Sequence, residues 1–140
     1  MSRLSLPLLY LIIYIASLPA TAQTDTLRGH WLCQAEGVHL YLDLGAESLT
    51  VPGYEILGPV SGYMRGGMAN TWFLTSFKPK GDGAWTLRFS NDVGADTQVA
   101  VVQRQSDGTL AFRAVGGVVL RRVVKRKYAT LPANLTFAPM

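Results

Sequence analysis

From Gly29 onward the chain alternates apolar and polar residues with a period of two, the mark of strands that turn one face inward. Arg28 to Ala35 opens the series, with Trp31, Cys33 and Ala35 on one face. Gly37 punctuates it, and in Val38 to Leu44 the residues Leu40, Leu42 and Leu44 share one face while His39, Tyr41 and Asp43 share the other. Gly45-Ala46-Glu47 turns the chain into Ser48 to Val51, which Pro52-Gly53 ends. The stretch from Tyr54 to Ala69 is cut by Gly58-Pro59, Gly62 and Gly66-Gly67, which break helices and bend strands. It predicts a bent strand near Val60 to Met64 and a loop over Arg65 to Met68.

The second half alternates more cleanly. Thr71 to Phe77 is rich in the aromatic and β-branched residues that strands prefer. Lys78-Pro79-Lys80-Gly81-Asp82-Gly83 is a polar turn, after which Trp85, Leu87 and Phe89 alternate with Thr86, Arg88 and Ser90. Thr97 to Gln105 and Leu110 to Val115 flank Asp107-Gly108, a hairpin turn that calls for positive φ. Gly116-Gly117 turns again, and Val118 to Val124 is expected as the last strand. Tyr128 to Met140, with Pro132 and Pro139, is expected as an irregular tail.

The fold class that follows is all-β: an antiparallel meander of about eight to ten short strands that closes as a small barrel or folds as a sandwich. An eight-stranded barrel has room inside for side chains or for one small ligand.

The first residues do not belong to this pattern. Arg3, the apolar run from Leu8 to Ile15 and Ala20-x-Ala22 make residues 1–22 a secretory signal peptide. Its apolar run falls short of the roughly 20 residues that span a membrane. Removal leaves one domain, 23–140, exported to the periplasm or beyond, with no stable membrane anchor. Cys33 is the sole cysteine, so an internal disulfide is excluded, and this thiol is either buried or bridged to another chain. The formal net charge is +4, and Arg121, Arg122, Lys125, Arg126 and Lys127 crowd into seven residues. Such a cluster suits an anionic partner or simply guards a strand edge. Nucleic acid is not expected as a partner of an exported chain; a small apolar ligand or a protein partner is compatible with it.

Catalytic chemistry is hard to assemble from these residues. The two histidines, His30 and His39, limit general-base catalysis and zinc binding, which needs three or four ligands. His39, Tyr41 and Asp43 share a face, but alternating polar residues ordinarily mean a solvated one. No nucleophile elbow, phosphate-cradling loop or dinucleotide fingerprint occurs. No catalytic residue, metal site or cofactor is therefore expected. Aromatics at Trp31, Tyr41, Tyr63, Trp72, Phe73, Trp85, Phe89 and Phe112 make either a core or an apolar cup. As a cup, Tyr41, Phe73, Thr75, Trp85 and Phe112 would contact a ligand, with Thr71 and Arg113 as further polar groups.

Gly29-His30-Trp31 at the start of the first strand resembles the calycin superfamily, the lipocalins and their avidin relatives. The resemblance implies a closed barrel in which Trp31 packs across one end. An arginine of the last strand, Arg121 or Arg122, would lie against the indole as a cation–π partner. It also implies a small apolar or amphipathic ligand inside. The alternative is an envelope interaction protein, an inhibitor or assembly component, with a packed core. The chain departs from lipocalins in lacking a helix beside the barrel and a disulfide. Cys33 stands where avidins carry a polar biotin ligand, so biotin binding does not carry over.

Overall fold

The computed structural model describes residues 26–140; the expected signal peptide and the expected mature start at Gln23 lie outside them. The described residues form β1 (Arg28–Cys33), β2 (Val38–Asp43), β3 (Gly62–Gly66), β4 (Trp72–Gly81), β5 (Ala84–Asn91), β6 (Thr97–Arg104), β7 (Leu110–Gly117), β8 (Arg121–Val124), β9 (Lys127–Thr130) and β10 (Asn134–Pro139), with one 3₁₀ turn at Glu55–Leu57. Eight of them close a barrel in the order β1-β10-β7-β6-β5-β4-β3-β2, while β8 and β9 form a separate two-stranded sheet. Every pairing is antiparallel, as short hairpin connections require. The barrel is thus an up-and-down meander with the β8–β9 hairpin inserted before its closing strand.

The alternation seen in the sequence becomes the inside and outside of this barrel. Leu40, Leu42, Met64, Leu87, Phe89, Ala100, Val102, Leu110, Phe112 and Phe137 are buried at 2% exposure or less. Their outward neighbours are half-buried or exposed, apart from Tyr63 and Asp43, which are 6% and 5% exposed. The connection between β2 and β3 explains both exceptions, and its Ser48 hydrogen-bonds Asp43. It bridges Leu49 to Val60, ties Tyr54 to Asp92 at the far end of the barrel, and so straps the outer face of β3 and β4. The expected strand Ser48 to Val51 is reduced to that one bridge.

Three further expectations are corrected. Residues 128–140 are not an irregular tail, because β10 closes the barrel between β1 and β7. Leu135 and Phe137 keep the inward alternation there, and Pro139 stands at the strand's end, where a missing N–H does little harm. Val118 to Val124 is not the last strand: Gly117 at φ 76° lets the chain leave the barrel, and only Arg121–Val124 is strand. The β4–β5 turn is shorter than expected, since β4 runs on to Gly81 and Asp82 and Gly83, at φ 50° and 72°, make the turn between them.

Both ends of the barrel are closed. At the end bearing the β6–β7 turn, the Trp31 indole donates to the Gly108 carbonyl at 3.3 Å. A β-carbon on Gly29 would come within 3.0 Å of that ring, which is why glycine precedes the tryptophan by two. At the opposite end Leu120 and Leu131, from the two feet of the hairpin, enter the core at 1% and 3% exposure. They are joined by Leu131 N–H donating to the Leu120 carbonyl at 2.8 Å, and Met68 packs against the same cluster.

Candidate functional site

The five residues expected to line a ligand cup do not share a site. Trp85 and Phe112 point inward and are buried at 3% and 2%, with the Phe112 ring 5.6 Å from that of Phe137. Tyr41 and Phe73 alternate with buried neighbours and lie outside, and exposed Thr75 donates its hydroxyl to the Arg88 carbonyl. Thr71 gives its N–H to Asp92, and Arg113 lines an external cleft of about 510 Å³ with Lys80 and Gln103. The register of the sheet, which sorts odd from even positions, separates the residues that composition had grouped.

The barrel interior is occupied by protein. A side chain with no accessible surface borders no space that water could enter, and Val38, Leu40, Met64, Leu87, Phe89, Ala100, Val102, Leu110 and Phe137 all have none. The one discordant group is Gln98, 1% exposed, whose side-chain carbonyl finds no hydrogen-bond partner among the described residues. Cys33 is a free, buried thiol.

The end-closing arginine also differs from the expectation. Arg121 and Arg122 stand at the end opposite the Trp31–Gly108 contact. Arg121 lies over the Tyr128 ring at 4.5 Å and 3.6 Å from Asp96. Arg122 is 3.3 Å from the Glu36 carboxylate and donates to the Glu36 carbonyl. At the Trp31 end the guanidinium is that of Arg104, 5.3 Å over the ring of Trp85 and donating to the Thr26 carbonyl.

Those pairings clamp the foot of the β8–β9 hairpin and leave its far half in water. Val123, Val124 and Tyr128 are 60%, 46% and 64% exposed, and all four residues of β9 are exposed. Val123 is in register with Tyr128 and Val124 with Lys127, so each face of the hairpin carries apolar surface. The turn is Lys125-Arg126, with φ of 50° and 68°, and Lys127 follows. Among the described residues none of these three cations has an ion pair.

The outer wall of β1–β4 carries a second arrangement that sequence reasoning missed. His30 is in register with Tyr41, Tyr41 with Tyr63 and Tyr63 with Phe73, giving one row of rings across four strands. His30 stacks on Tyr41 at 4.1 Å and 13°, and Tyr41 on Tyr63 at 4.5 Å and 13°. Nε2 of His30 lies 2.8 Å from Nδ1 of His39, one ring donating and the other accepting. Burial, and then the neighbouring His39, lower the pKa of His30, while burial and the Tyr41 hydroxyl raise that of Tyr63. Asp43, on the same face of β2, is hydrogen-bonded by Ser48 and lies 3.7 Å from Arg28. No group of three or more His, Cys, Asp or Glu among the described residues could hold a metal.

At the end of the row Tyr54 meets Phe73 edge-on at 5.2 Å and donates its hydroxyl to Asp92 at 2.6 Å. Burial alone would raise the Asp92 pKa, but hydrogen bonds from Tyr54, Asn70 and the Thr71 N–H outweigh it and hold the carboxylate below its usual range. Comparison of the chain with protein-family models, curated proteins and solved structures returns no match.

Proposed function

We propose that this chain is an exported interaction protein, with its filled barrel as a rigid base and its β8–β9 hairpin docking an anionic partner at the cell envelope. The observation that carries this reading is the hairpin apex. A two-residue turn with positive φ at both positions favours Asn-Gly, yet Lys125 and Arg126 occupy it. Left-handed backbone costs roughly 1–2 kcal/mol for a residue with a β-carbon. Strain that stability does not require points to function, and here it presents adjacent cations with no ion pair among the described residues.

Export is supported by the signal-like pattern of residues 1–22. A calycin-like origin is supported by the eight-stranded closed meander and by Gly29-x-Trp31 with its indole seated over the glycine. The lipocalin-like alternative, an apolar or amphipathic molecule inside the barrel, has no specific observation in its favour. The core side chains, many without accessible surface, would have to move to admit it.

The test is retention of the mature protein on a sulfated polysaccharide matrix and on anionic phospholipid vesicles. Retention should fall steeply with salt, because exposed charges are screened over about 8–10 Å at physiological ionic strength. The Lys125→Ser, Arg126→Ser, Lys127→Ser triple variant should lose retention while keeping its unfolding temperature. Equal retention of the variant on both anionic probes would overturn the proposal.

A further inference from the structure

The histidine pair on the outer wall is not used by the hairpin reading, and its geometry has its own chemistry. Two imidazole nitrogens facing each other at 2.8 Å share one proton in the metal-free protein. A metal ion that displaces this proton sits beside the line joining the two nitrogens, which is too short to hold it, and each ring turns its lone pair off that line toward the ion. With metal–nitrogen bonds of about 2.0–2.1 Å, two ligands at 90° hold their nitrogens about 2.9 Å apart, and two at the tetrahedral angle about 3.3 Å. The observed separation is therefore close to the right-angled arrangement of a tetragonal ion and about half an ångström short of the tetrahedral one.

The surroundings keep the two rings side by side. Both rings are carried by paired barrel strands whose register spans the whole of β1 and β2, and the His30 ring is stacked on Tyr41, itself stacked on Tyr63 beneath the strap. Both histidines are half-buried, which leaves open positions for water to complete the coordination. Cu(II) binds nitrogen donors more tightly than any other divalent ion of its row and accepts tetragonal geometry with water in the remaining places. Zinc sites, by contrast, use three or four protein ligands in a tetrahedron, which this wall does not supply.

We infer that Nε2 of His30 and Nδ1 of His39 form a surface chelate for a single Cu(II) ion. Opposing the site is Arg65, in register with His39 on the adjoining strand β3, whose positive charge repels a divalent ion.

Titration of the protein with a copper(II) salt, followed by calorimetry and electron paramagnetic resonance, tests the site. One equivalent should bind, with a tetragonal spectrum split by two imidazole nitrogens, and Zn(II) should bind at least about ten-fold more weakly. Loss of an outer-shell partner already costs a metal site about 10–100-fold, so His30→Asn and His39→Asn should each weaken Cu(II) by about a hundred-fold. Their thermal unfolding, measured in parallel, should stay near that of the parent. Arg65→Gln should tighten binding about three-fold by removing a nearby charge. Wild-type Cu(II) affinity in either histidine variant would overturn the inference. So would a spectrum with fewer than two coupled nitrogens, or Zn(II) binding as tight as Cu(II).

Discussion

The barrel and the β8–β9 hairpin are made from the same two-residue alternation, yet they treat apolar side chains in opposite ways. In the barrel each strand has a neighbour on both sides, and its inward residues meet those of the strands across the interior. In the hairpin there are two strands only, with no second layer over their far halves, so Val123, Val124 and Tyr128 stay in water. A two-stranded hairpin is marginal by itself. This one stands because Leu120 and Leu131 root it in the core and because Arg121 and Arg122 are tied to Asp96 and Glu36. Closure satisfies a strand's edges and hides its apolar face, so a barrel strand gains stability wherever it is paired. Surface that remains open on a rooted hairpin has no such reason to be apolar or strained, and function is the better explanation for it.

The largest expected effect lies on the barrel side. Trp31→Ala removes a 6%-exposed aromatic that closes one end against Gly108 and should cost about 3–5 kcal/mol in urea unfolding. Near-parental stability would mean that this end is not closed by the indole. A smaller effect of opposite sign is expected at Gln98, the polar breach in the core. A buried acceptor without a partner costs about 1–3 kcal/mol, so Gln98→Leu should raise the unfolding midpoint. A drop would show that the carbonyl has a partner in solution and that the core is less dry than its side chains imply. The smallest change in stability is expected at the hairpin apex, where Lys125→Asn with Arg126→Gly should relieve left-handed strain and gain up to about 1 kcal/mol. The same pair should weaken retention on the anionic probes. Stability and binding moving in opposite directions would separate the two regions most sharply; a loss of stability would show that the two cations serve the fold.

Much of the barrel was legible because its signals are local. Asp107-Gly108 marked a hairpin, and Leu40 and Leu42 alternating with His39 and Tyr41 marked an inward and an outward face. The ending of the chain departs from its sequence pattern for an equally physical reason. In Asn134–Pro139 the alternating Leu135 and Phe137 were outweighed by prolines on either side, and nothing local reveals that β1 lacks a second neighbour until β10 supplies it. The arginines misled similarly. Arg121 and Arg122 could be assigned to the Trp31 end only if their strand closed the barrel, and it does not.

The candidate sites show the same limit. Tyr41, Phe73 and Thr75 were grouped with Trp85 and Phe112 by residue type, and the pleat put the first three outside. The row of His30, Tyr41, Tyr63 and Phe73 has no sequence signature, because its members lie on four strands and meet only when three separate registers align.

By itself the sequence determined most of the strands, their inward faces and the crowding of cations near the carboxyl end, all of which depend on neighbours a few residues apart. Only the tertiary structure decided which strand closes the barrel, that the core is filled, that two histidines from different strands face each other at 2.8 Å, and that the unpaired cations stand at a strained apex. Those outcomes depend on register and closure, which are fixed by contacts among residues far apart in the chain and therefore leave no local trace in it.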